Sequence, residues 1–135
     1  MNKSVWLARL LGIAGILESV TALALIIDPR LVASILLQSS LETPGDVIGR
    51  IAGGALLSLG IACWCARKSP MAPASLGVGW GLLAYNVVAC ATLAFAGSAM
   101  AGGGLVALSA ALLHGLFGAA LLGVLFHSGR ATSES

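Results

Sequence analysis

Four long apolar runs, separated by short breaks rich in proline, glycine and polar residues, occupy most of the chain. They extend over Val5 to Ile27, Val47 to Ala66, Leu76 to Phe95 and Leu105 to Phe126. Each is close to the roughly 20 residues that a helix needs to cross about 30 Å of hydrocarbon. Without water, backbone N–H and C=O groups must pair within the segment, so each run predicts a transmembrane helix. Between the first two, Asp28 and Pro29 read as a cap and first-turn pair. Arg30, Ser34 and Gln38 then recur every four residues, with Leu31, Val32, Ile35 and Leu36 on other faces. That spacing predicts a short amphipathic helix over about 29–38, lying in the membrane interface. Thr43, Pro44 and Gly45 turn the chain, and Asp46 is placed to cap the second span. Ser69 to Pro73 breaks the chain before the third span, and the uncharged stretch Gly97 to Gly104 makes a turn before the fourth. The expected architecture is an all-α membrane protein in a single integral-membrane domain over 1–135: four transmembrane helices in one bundle, plus the interfacial helix.

Polar side chains interrupt each run near its midpoint. Glu18, Ser58, Asn86 and His114 fall one per run, with Tyr85 beside Asn86. Polar and ionisable groups are costly in hydrocarbon and turn toward the bundle interior, so these five residues are expected to form a buried polar layer. Its use is open between a binding or proton-relay site and static interhelical hydrogen bonds. Ser58 adds least, since a serine in a membrane helix often bonds its own backbone. Arg50 starts the second span one turn after Asp46. It either snorkels to the headgroups or closes the rim of a polar pocket floored by Glu18.

Composition strengthens the class: 59% of the 135 residues are hydrophobic and 9% are charged, which a water-soluble single domain does not tolerate. The net charge is only +2, and the basic residues are dispersed, so no nucleic acid partner is expected. Their placement sets an orientation. Lys3, Arg9, Arg67, Lys68 and Arg130 lie at one set of helix ends and Arg30 and Arg50 at the other, which places both termini in the cytoplasm. The first run is too long for a signal peptide and carries Arg9 and Glu18, so it reads as an uncleaved helix.

The remaining candidates for chemistry are weak. Cys63 and Cys65 lie about 200° apart around a helix and cannot form an unstrained disulfide, and their spacing is not that of a thiol metal motif. His114 and His127 are separated by about 20 Å along one helix and cannot clamp one haem. No nucleophile–base pair or metal triad assembles at matching depth, so no catalytic residue, metal or cofactor is expected. Helix packing has a clearer signature. Gly49 with Gly53, Gly77 with Gly81, and Gly115 with Ala119 and Gly123 are small residues at four-residue spacing, suited to close contact within the bundle or with a partner helix.

The stretch Arg50-Ile-Ala-Gly-Gly-Ala-Leu-Leu-Ser-Leu-Gly60, followed by Ala62-Cys63-Trp64, Tyr85-Asn86 and His114, resembles a group of small bacterial four-helix membrane proteins. That resemblance covers all four spans, implies a bacterial inner (plasma) membrane, and brings no activity or site residue with it. Glu18 is also similar to the first-helix glutamate that carries the proton in small multidrug-resistance transporters. The long loop after the first span and the other three helices depart from that family. Two functions are expected. The first is a non-enzymatic accessory or structural subunit, binding lipid or a small molecule and contacting membrane lipids and other membrane subunits or copies of itself. The second is a proton-coupled transporter of a small hydrophobic or cationic solute that uses Glu18 and His114.

Overall fold

A computed structural model describes residues 2–100 and 104–129, with side chains up to Phe126. Those residues form five α-helices: α1 (Lys3–Ile27), α2 (Pro29–Leu37), α3 (Thr43–Ala66), α4 (Pro73–Ala99) and α5 (Leu105–Gly129). The chain is all-α, and α1, α3, α4 and α5 are each long and apolar enough to cross a membrane.

Local chemistry sets the helix ends. Asn2 caps α1 by accepting from the Ser4 N–H. Asp28 caps α2 by accepting from the Leu31 N–H at 3.0 Å, with Pro29 in the first turn, where its missing N–H costs nothing. Gln38 ends α2 in the left-handed region, φ 50°. The same proline logic corrects the expected start of the next helix. Thr43, Pro44 and Gly45 do not turn the chain but form the first turn of α3. Likewise α4 begins at Pro73 and continues through Phe95 to Ala99, so the expected loop from Gly97 is partly helical. There the Gly104 N–H donates to the Gly97 carbonyl at 3.1 Å, closing a hairpin that two glycines allow. The centre of the expected glycine turn, 101–103, and the polar tail from Arg130 lie outside the described residues.

The helices pack as two antiparallel pairs, α1 with α3 and α4 with α5, joined by sparser contacts of α3 with α4 and α1 with α5. Glycine makes the first seam tight. A Cβ on Gly60 would lie 3.1 Å from the Gly15 carbonyl oxygen, and one on Gly53 would lie 2.9 Å from that of Ala22. Where small residues allow backbones this close, dispersion contacts and weak backbone interactions add to the packing. The shared core is Leu7, Leu11, Ala14, Cys63, Ala66, Leu82, Leu83, Leu121 and Leu125. Most of it lies toward the end that carries Lys3, Arg67 and Lys68, so the pairs close together at that basic end. Trp6, Trp64 and Trp80 collect there as well, with the Arg67 guanidinium 3.6 Å over the Trp64 ring and Trp80 edge-on to Phe126 at 5.6 Å. At the opposite end α2 touches α1, α3 and α5 and so bridges the two pairs. Its Arg30 reaches Asp46 at 3.5 Å.

Candidate functional site

Between the closed basic end and the α2 bridge, α1 and α5 part and leave a groove of about 260 Å³. From α1 it is lined by Ala14, Leu17, Glu18 and Thr21, from α5 by Ala110, Leu113, His114 and Phe117, and from α4 by Tyr85 and Asn86. The α1 and α5 contributions stand at the same offsets, four before, one before and three after Glu18 and His114 respectively. This is the pattern by which one helical face surrounds a chosen residue. Glu18 lies nine residues before the end of α1 and His114 nine after the start of α5. Both are therefore about 13 Å from the helix ends nearest α2.

The floor is polar and buried. Glu18 is 7% exposed and Asn86 1%. The Tyr85 hydroxyl lies near the Glu18 carboxyl, and the Tyr85 ring stands edge-on to His114 with centroids 5.5 Å apart. His114 Nδ1 lies 2.9 Å from Asn86 Oδ1, and Asn86 Nδ2 donates to the Leu82 carbonyl at 2.8 Å. Glu18 and His114 thus share a groove without being each other's partner: His114 pairs with Asn86, and Glu18 lies beside Tyr85. The rim is apolar and open. Leu17 is 56% exposed and Leu113 68%, so the groove faces sideways, away from the helix axes.

Two residues expected in or around this layer stand elsewhere. Ser58 donates to the Gly54 carbonyl of its own helix at 3.0 Å and is exposed. It sits about 200° around α3 from Gly60, and Gly60 faces α1, which turns Ser58 outward. Arg50 is no rim residue. It pairs with Asp46 at 3.4 Å and donates to the Ile26 carbonyl, tying α3 to the end of α1.

The small residues divide in the same way. Gly49 packs on Pro29, where a Cβ would come within 2.6 Å of the proline Cβ, and Gly53 packs on α1. A Cβ on Gly115 would meet Cys90 Sγ at 3.3 Å. Gly77, Gly81 and Gly123 have nothing within 4 Å of that position, and Ala119 is exposed. Close packing within the chain therefore does not use these four, because their helix faces turn away from both neighbours. The glycines that close the α1–α3 seam most tightly include Gly15 and Gly60, which four-residue spacing does not single out. They pair across two helices, a relation that no single-helix pattern contains.

Among the described residues no cluster of three or more His, Cys, Asp or Glu is arranged to hold a metal ion. Cys63, Cys65 and Cys90 are free thiols. No family model, curated protein or solved structure matches the chain.

Proposed function

We propose that the chain is a non-enzymatic integral protein of the bacterial inner membrane that holds a small amphiphilic molecule in the α1–α4–α5 groove and serves as an accessory subunit of a larger membrane assembly. The observation that carries this reading is the groove itself, a buried polar floor at mid-helix behind an open apolar rim. A solute dissolved in the bilayer reaches such a site laterally, tail and headgroup each meeting matching chemistry. The outward faces at Gly77, Gly81 and Gly123 support a neighbouring helix from another subunit or a second copy. Five of the seven basic residues support a topology with both termini in the cytoplasm. In intact cells Ser133→Cys then stays unlabelled by an impermeant thiol reagent, above the background of the three native cysteines, and ready labelling inverts the topology.

The binding reading is tested by extracting the protein into lipid nanodiscs and weighing the intact complex by native mass spectrometry. The parent carries a small-molecule adduct that Ala110→Phe, which fills the groove, loses. An adduct-free parent, or an adduct indifferent to Ala110→Phe, defeats the proposal.

A second reading, proton-coupled transport of a small hydrophobic or cationic solute, draws on Glu18 and His114 lining one cavity. In proteoliposomes it requires Glu18→Gln to abolish proton-coupled flux. Under the accessory reading the amide keeps the hydrogen-bonding capacity of that position, and the change is nearly silent.

A further inference from the structure

The groove has a chemical polarity set by one buried amide. Asn86 Nδ2 donates to the Leu82 carbonyl. Turning the amide over would place its oxygen against that carbonyl oxygen, so the orientation is fixed by an acceptor that cannot itself change role. Asn86 Oδ1 therefore faces His114 Nδ1 as an acceptor, and Nδ1 must carry the proton. In the uncharged imidazole the second nitrogen, Nε2, is then bare and accepts. Among the described residues it has no hydrogen-bond partner. The other groove groups do not reverse this polarity. Glu18 retains an acceptor oxygen in either protonation state, and Tyr85 and Thr21 both donate and accept.

We infer that the groove recognises its amphiphile through a headgroup that donates a hydrogen bond to His114 Nε2, a hydroxyl or an amine, and that Asn86 is the positioning residue that sets this preference. The inference rests on the groove reading above. A cavity of about 260 Å³ is below the roughly 300 Å³ at which small-molecule pockets begin. It holds a compact headgroup and the first carbons of a chain, and the rest of the molecule lies against Leu17 and Leu113. A headgroup that only accepts, such as an ether or an isolated carbonyl, meets the Nε2 lone pair and leaves that nitrogen unpaired.

The test uses full-length protein in nanodiscs, labelled with ¹⁵N-histidine in a His127→Gln background so that His114 is the single histidine. Three probes share one tail: 1-decanol, decylamine and decyl methyl ether. Without probe, Nδ1 gives a protonated-type signal and Nε2 a bare-type signal. Decanol and decylamine move the Nε2 signal toward the hydrogen-bonded range, and Ala110→Phe abolishes the response. The ether, at equal membrane concentration, binds about tenfold more weakly, the worth of one net hydrogen bond. Asn86→Leu mixes the two tautomers and erases the preference, whereas Asn86→Asp, whose protonated carboxyl donates to the Leu82 carbonyl and keeps its second oxygen toward Nδ1, retains it. A proton found on Nε2 of the neutral ring overturns the inference. So does an ether response equal to that of the alcohol, while a groove-dependent response to all three probes leaves the groove reading standing. If no probe perturbs His114, both fail together.

Discussion

Helix α1 forms two seams of opposite character. Toward α3 it presents Gly15, Ser19 and Ala22, and the backbones approach until a Cβ on Gly60 would lie 2.5 Å from Ser19 Oγ. Toward α5, one residue round the helix, it presents Ala14, Leu17, Glu18 and Thr21, and the helices stand apart around a cavity. The difference lies in what each face can satisfy. Small residues expose backbone to backbone and leave no polar group over. A carboxyl, a phenol, an amide and an imidazole need partners with room around them, and in hydrocarbon those partners hold helices at side-chain distance. One helix thus serves as a rigid strut on one face and a site wall on the other.

The largest effect expected from breaking this contrast comes from bulk in the tight seam. Gly60→Leu drives a side chain into the Gly15 carbonyl and the Ser19 backbone. It should cost more than about 3 kcal/mol, the upper end for overpacking, read as aggregation or loss of the thermal transition in detergent. A parent-like melt would mean that α1 and α3 are not closely packed.

Removing the polar link between α4 and α5, beside that open seam, should cost less. Asn86→Leu strands His114 Nδ1 and the link to Leu82, and interhelical hydrogen bonds in membranes are worth about 0.6 to 2 kcal/mol. A lowered but cooperative melt is expected. An unchanged melt would show that the α4–α5 contact around Gly118 and Gly115 carries that pair without the amide.

Smaller still is the ionic tie at the α2 end. Asp46→Asn releases Arg30 and Arg50 together, exposed pairs worth about 0.2 to 1 kcal/mol each and screened by salt. The parent and variant should converge in stability as salt rises. A difference that persists in high salt would trace to capping or packing in place of charge.

The smallest effect belongs to Gly123→Leu. With open space at the Cβ position, the isolated chain should melt within about 0.5 kcal/mol of the parent. A change confined to oligomer distribution on size-exclusion chromatography would mark that face as one that meets another protein.

Much of the fold is legible along the chain because membrane helices carry a local requirement: a run of apolar residues long enough to span, with every backbone group paired inside it. Even the interruptions at Glu18, Asn86 and His114 point inward by that rule. Their neighbours in the groove were available to the same reasoning, since Leu17, Thr21, Leu113 and Phe117 flank the two ionisable residues at helical offsets. Errors at helix ends have a similarly local cause: Pro44 and Gly97 break helices in most contexts but are accommodated in a first turn and at a hairpin contact.

Partnership was not legible. Gly53 and Gly77 each stand four residues from another glycine, yet one presses on α1 and the other faces open space. Glu18 and His114 share depth, yet His114 pairs with Asn86 and not with Glu18. Ser58, at mid-helix like the rest, turns away. By itself the sequence determined the helices, their number and their polar midpoints, because these follow from periodicity and the chemistry of one segment. Only the tertiary structure decided which faces meet, which glycines are close-packed and which side chain faces His114, because those depend on the rotation of each helix against its neighbours.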